Sequence, residues 1–227
     1  MKVFIAVPSM DQVAAMFCQS LAMLRRPGDT VVGFEIGSLV YAARNNLARA
    51  AIKSEADWVL WLDSDMVFNP DLLTRMLQVC EDNKLDILTA ICFRRKPPYT
   101  PTIFDRLEVV NGKCSYTAFL SVPDGLFEVG GCGMAGCLMK TDVLMDVAGK
   151  FGGKLFDPES RMGEDISFCW RARQCGYKIF CDSGIEMGHV GQTVVTRSYF
   201  EAFNNGGDND AGKSETGAQT SDDGVQC

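Results

Sequence analysis

Trp58-Val59-Leu60-Trp61-Leu62-Asp63-Ser64-Asp65 decides how this chain of 227 residues is read. An unbroken apolar run ends in two carboxylates with one serine between them. Apolarity at every position suits a strand covered on both faces, as in a parallel sheet. Carboxylates are seldom buried without a partner. Asp63 and Asp65 therefore belong at the strand's carboxyl end, the edge at which open α/β sheets bind ligands. In an extended segment residues i and i+2 point to the same side, so the pair can address one hard divalent cation. The competing reading is a pair of solvated turn or helix-capping aspartates ahead of Asn69-Pro70.

Outward from this stretch, strand and helix alternate. Residues 2–7, 30–36 and 86–93 read as further strands. Residues 11–25 carry apolar positions at helical spacing, with Asp11 as a cap and Pro27-Gly28 as the stop. Residues 38–53, capped by Ser38, and 70–83, with Asn69 as cap and Pro70 in the first turn, read as helices. The alternation predicts a parallel sheet with helices on its faces. The second half is mixed. Short strands are expected at 99–104, 107–110 and Lys113–Ala118, with Asn111-Gly112 as a tight hairpin turn. A strand at 134–140, a helix at 142–148, a helix over Glu164–Gln174 closed by Gly176, and strands at 178–181 and 185–187 follow. The expected fold class is α/β: a Rossmann-like mixed sheet flanked by helices, with a smaller mixed α+β half. Residues 1–203 form one domain in this reading. From 204 to 227 almost no apolar residue remains, which predicts a disordered acidic tail.

Composition supports a globular chain, 47% hydrophobic and 22% charged. The net charge is −7. Residues 201–227 hold six acids and one base, hence −5, which leaves −2 for the first 200 residues. No broad basic surface for nucleic acid is indicated, although Arg94-Arg95-Lys96 could line a local groove. No apolar run has the length of a membrane span, and residues 1–8 read as a first strand and not a signal peptide. Ten cysteines and one histidine form no disulfide or zinc framework by spacing. A reducing cytoplasm is the expected setting.

Four further stretches carry candidate chemistry. Gly163-Glu164-Asp165 opens a helix. Its acids either complement the helix dipole or supply a general base on a rigid element. His189 sits between Gly188 and Val190-Gly191. It is either a hydrogen-bonded structural residue or, with Asp65, a ligand to a divalent metal. Arg44, on the 38–53 helix, can grip a diphosphate or a base carbonyl or lie on a solvated face. Gly130-Gly131-Cys132-Gly133-Met134-Ala135-Gly136 allows close backbone approach, either to a ligand or in a tight turn.

The order of these motifs resembles glycosyltransferases of the GT-A fold, above all the large inverting family of bacterial polysaccharide-synthase type. Val7-Pro8-Ser9 looks like the start of that family's nucleotide-binding half, Asp63-Ser64-Asp65 like its D-x-D motif and Glu164-Asp165 like its E-D motif. Met162 to Val190 is also similar to the polypeptide N-acetylgalactosaminyltransferases, through Gln174-Cys175-Gly176 and Gly188-His189-Val190. The resemblance implies a metal-dependent transfer of a sugar from a nucleotide-diphosphate sugar to an acceptor hydroxyl, with inversion. Val7, Pro8, Ser9, Arg44, Asp63, Ser64 and Gly133 would bind the donor. Asp65 and His189, with Asp63, would hold Mn²⁺ or Mg²⁺. Asp165 would be the base and Glu164 its neighbour in catalysis. The acceptor stays open among polysaccharide, lipid, protein, small molecule and modified nucleic acid base. A nucleotidyltransferase acting on a sugar phosphate and a non-catalytic nucleotide-sugar-binding module are the other classes. The reading demands that Asp65, Asp165 and His189 meet at one edge of the sheet.

Overall fold

The computed structural model describes residues 1–37, 39–110, 113–119, 121–191 and 194–205. In chain order the elements are β1 (Lys2–Ser9), α1 (Ala15–Met23), β2 (Asp29–Ile36), α2 (Val40–Lys53), β3 (Trp58–Leu62), β4 (Met66–Val67), α3 (Leu72–Asn83) and β5 (Ile87–Ile91). There follow β6 (Ile103–Val110), β7 (Lys113–Ala118), β8 (Leu126–Val129), β9 (Gly131–Cys132), β10 (Gly136–Lys140), α4 (Thr141–Lys150) and α5 (Glu164–Gln174). The last are β11 (Ile179–Glu186), β12 (Gly188–Val190), β13 (Val194–Val195) and α6 (Arg197–Asn205).

The central sheet has seven strands in the order β2-β1-β3-β10-β5-β11-β8. β1 runs parallel to β2 and β3, and β11 runs parallel to β5. Between β3 and β5 lies β10, antiparallel to both. The sheet is thus mixed, with helices on both faces, as the GT-A reading expects. β3 is buried at all five positions, as its continuous apolarity demands. Alternation along β1 divides the core into two layers. Phe4 and Ala6 join the layer that includes Leu47 and Ala48 of α2, Val143 and Leu144 of α4, and Phe168 and Cys169 of α5. Val3, Ile5 and Val7 join the layer with Phe17 of α1 and Leu73, Met76 and Leu77 of α3. Two three-stranded sheets complete the fold, β13-β12-β4 and β7-β6-β9.

Several expected boundaries shift. The first helix begins at Ala15 with Ala14 at its N-cap, so Asp11 does not cap it. α3 begins at Leu72 with Asp71 at the N-cap; Asn69 instead accepts the Leu72 amide through its carbonyl at 3.1 Å. Ser38 as a helix cap and Asn111-Gly112 as a turn lie outside the described residues. The flanking strands do pair antiparallel, with Val110 opposite Lys113. Of the strands expected at 99–104 and 107–110, the first starts only at Ile103, and both fall within β6, whose register shifts between Phe104 and Arg106. Likewise 178–181 and 185–187 merge into β11, with a shift between Asp182 and Glu186. A bulge adds a residue without ending a strand, which explains why a broken apolar pattern conceals a continuous element. Of the expected tail, Asn204 and Asn205 close α6, and residues 206–227 lie outside the described residues.

Candidate active site

β3 ends at Leu62, and the chain turns at once: the Met66 amide donates to the Asp63 carbonyl at 3.3 Å. β4 then pairs with β12, placing His189 opposite Met66. The Val190 amide donates to the Asp65 carbonyl at 2.8 Å. This small sheet brings His189 Nε2 to 3.1 Å from Asp65 Oδ2 across 124 positions of sequence. The other imidazole nitrogen, Nδ1, is 3.1 Å from the Phe93 carbonyl. A carbonyl can only accept, so Nδ1 carries a proton and Nε2 faces the aspartate. Burial pulls the His189 pKa down, but the hydrogen bond and charge of Asp65 outweigh it and raise the value. Burial pushes Asp65 up, while His189 and Arg95 pull it further down, and the net direction is down. Each group thus favours the charged form of the other.

Asp63 faces a different partner. Arg44 Nη2 donates to Asp63 Oδ1 at 3.0 Å. Arg44 is almost wholly buried, its guanidinium 5.9 Å from the centroid of the Trp61 ring. Its Nε lies 3.5 Å from Glu164 Oε1, an ion-pair distance at an angle that leaves both atoms without a hydrogen bond. α2 thus supplies one buried cation shared by the end of β3 and the start of α5. The carboxylates around it hold its pKa above the ordinary arginine value despite burial.

Asp165 is in the first turn of α5, after Gly163 at the N-cap. Its Oδ1 accepts the Ile166 amide at 2.8 Å. Burial and the adjacent Glu164 push its pKa up to about 7, against the opposing pull of Arg44 and that hydrogen bond. Gly133 lies alongside: a β-carbon there would stand 3.6 Å from Asp165 Oδ2 and 3.4 Å from Thr102. The absence of a side chain keeps the carboxylate open to the cleft.

The cleft has a volume of about 410 Å³, within the usual range for small-ligand sites. Asp63, Gly133, Glu164, Asp165 and His189 line it. Asp65 is not part of that lining and touches it through His189 Nε2. Val7, Pro8, Ser9, Ser64 and Arg44 are not on its wall. Val7 packs in the core, the Ser9 hydroxyl donates to the Gln12 carbonyl at 3.1 Å, and the Ser64 carbonyl accepts the Ala14 amide at 3.0 Å. Arg44 acts from beneath, through Asp63 and Glu164. Asp165 and His189 thus line one cleft, and Asp65 is joined to it through its contact with His189. Sequence reasoning missed a further part of the wall, where Phe104 and Tyr116 form an edge-to-face pair with ring centroids 4.7 Å apart. Arg94, Arg95, Lys96 and Pro97 form the rim.

The chemistry of the donors can be tested against a divalent cation. Among the described residues no group of three or more His, Cys, Asp or Glu side chains is arranged to hold one. Asp63, the third expected ligand, is engaged by Arg44. Asp65 and His189 remain. The imidazole is oriented from behind by a backbone carbonyl, as metal-binding histidines usually are. One cation already touches the carboxylate: Arg95 Nη1 donates to Asp65 Oδ2 at 2.6 Å. A carboxylate and an imidazole nitrogen suit Mn²⁺ or Mg²⁺ when other ligands come from phosphate and water. The pair fits such a site.

A family model described as glycosyltransferase like family 2 matches residues 2–205. The chain belongs to that family. Within it, a stretch of 55 residues is 40% identical to the mannan polymerase complex subunit mnn9 of Schizosaccharomyces pombe. That stretch is 24% of this chain, and the match spans 15% of the length of the yeast protein. The fold of this glycosyltransferase-family domain is also similar to the crystal structure of A197 from STIV. The TM-score is 0.61 at 16% identity, covering 88% of this chain and 92% of the other. No helix among the described residues is long and apolar enough to cross a membrane.

Proposed function

We propose that this domain transfers a sugar from a nucleoside-diphosphate donor to an acceptor hydroxyl with inversion, with Asp165 as the base. The observation that carries this reading is the position of Asp165. It is a buried carboxylate with a pKa near neutrality, on a rigid helix start, in the same cleft as Asp63 and His189. A base whose pKa lies near the working pH combines an adequate deprotonated fraction with real proton affinity. In the displacement, the acceptor oxygen forms a bond to the anomeric carbon. The bond from that carbon to the diphosphate oxygen breaks, and its electron pair leaves with the diphosphate. The acceptor proton passes to an Asp165 oxygen. Asp63, steadied by Arg44, holds the nucleoside end. Gly133 leaves room for the sugar beside Asp165. Asp65 and His189 would hold Mn²⁺ or Mg²⁺, which when bound would neutralise charge on the diphosphate. Arg94, Arg95 and Lys96 face the same charge from the rim.

The family supplies the reaction class but not the donor or the acceptor. The name of the yeast relative places mannose donors at the head of a test panel, and a sugar-polymer hydroxyl at the head of the acceptors. Nine free thiols among the described residues favour a reducing compartment such as the cytoplasm. The reading is tested by incubating the protein with Mn²⁺ and a panel of nucleotide sugars while measuring release of nucleoside diphosphate. Release from one donor, increased by an acceptor and lost in Asp165→Asn, is expected. No release from any donor in the wild type would overturn it, as would undiminished transfer by Asp165→Asn.

A further inference from the structure

Arg95 and His189 converge on one and the same oxygen, Asp65 Oδ2, at 2.6 and 3.1 Å. Arg95 comes from the exposed segment Arg94-Arg95-Lys96-Pro97-Pro98, which follows β5 and rims the cleft. Its side chain is 43% exposed and that of Asp65 30%. The segment is pinned at both ends, however. The Arg94 amide donates to the Thr100 carbonyl at 2.9 Å, and the Thr102 amide donates to the Cys92 carbonyl at 2.9 Å. The loop between these anchors therefore has a fixed base and a tip whose one ion pair reaches into the site.

We propose that Arg95 is an internal cation that competes with the divalent metal for Asp65, so that metal entry releases the tip of the 94–98 segment toward the donor diphosphate. This rests on the assignment of Asp65 and His189 as metal ligands. One carboxylate oxygen cannot hold a guanidinium and a dication in the same place, so metal affinity is measured against the ion pair it must break. Once displaced, the guanidinium remains tethered at the rim. A planar, doubly donating guanidinium suits a diphosphate better than a single carboxylate oxygen. The metal and the donor would then each favour the loop position that the other needs, which is a linkage between two ligands through one side chain.

The test is titration of the full chain with Mn²⁺ alone, with free Mn²⁺ followed by electron paramagnetic resonance, in the wild type, Arg95→Ala and Asp65→Asn. Loss of an exposed competing pair is expected to tighten Mn²⁺ binding in Arg95→Ala by about twofold to fivefold. Asp65→Asn is expected to abolish binding. Because Arg95 is exposed, its removal leaves the core untouched. Limited trypsin digestion supplies a readout of the loop itself. Cleavage after Arg94 and Arg95 in the wild type should quicken when Mn²⁺ is added, and should not change with Mn²⁺ in Asp65→Asn. Equal Mn²⁺ affinity in wild type and Arg95→Ala would overturn the competition while leaving the metal site standing. Mn²⁺ binding by neither protein, or retained by Asp65→Asn, would overturn the metal assignment and the competition with it.

Discussion

Asp165 and Arg44 show what a single buried charge does here. The folded pKa of Asp165, raised to about 7 by burial and Glu164, lies above the ordinary carboxylate value. The native state therefore binds this proton more tightly than the unfolded chain. The resulting stability is present in acid and is lost as pH rises through about 7. Activity follows the opposite sign, because a base must be deprotonated. Transfer at subsaturating donor should rise with pH with a midpoint near 7. In Asp165→Asn it should fall by about a hundredfold to ten-thousandfold, and the variant should gain stability on the wild type as pH rises from about 4 to about 7, with the difference level above that, read by urea titration at each pH. Arg44 predicts the reverse kind of change. Arg44→Ala leaves Asp63 and Glu164 facing a buried void without their shared cation, and should cost about 3–5 kcal/mol in urea unfolding. A loss below about 1 kcal/mol would contradict that account. Asp63, Asp65 and Asp165 were legible in the sequence because each follows or opens a segment whose polarity changes abruptly. The burial of Arg44 was not, because its partners come from two other elements.

Among the elements, the β13-β12-β4 sheet does the positioning. It is short, and a two-residue strand has almost no pattern to read. Its existence follows from tertiary pairing, which is why the sequence showed His189 and Asp65 as candidates but not the device that joins them. Gly188 is where this device is most vulnerable. A β-carbon there would stand 2.3 Å from Val194 Cγ1 and 3.3 Å from Val67 Cγ2, contacts on both neighbouring strands. Gly188→Ala should therefore part β12 from β13 and lower Mn²⁺ affinity by about tenfold, with a loss of roughly 1–3 kcal/mol from overpacking. Unchanged metal affinity would show that His189 does not depend on this pairing. Strong helices were read best: α5 was expected over its observed residues, because a glycine stood at each end. β8 and α6 were missed. β8 is four residues long at a sheet edge, and α6 lies in a segment whose composition turns polar, docked by Phe200 against Phe93 with ring centroids 5.4 Å apart.

For the molecule as a whole, the decisive feature is the place of β10. The alternating first half was legible because each strand and helix there carries its own period. The insertion of a later strand between β3 and β5 has no local signature, since it is a choice of neighbour. It predicts one cooperative unfolding transition. Fluorescence from Trp58, Trp61 and Trp170, which sit in both halves of the chain, should follow the same urea curve as far-ultraviolet circular dichroism. Two separated transitions would show halves that unfold independently. The interleaving also limits how such a protein can be re-engineered. An exchange of the second half with that of a relative, made at the midpoint of the chain, would remove β8, β10 and β11 from a sheet whose other four strands are built around them. A workable graft is confined to what lies outside the sheet, the β6–β7 hairpin with Phe104 and Tyr116.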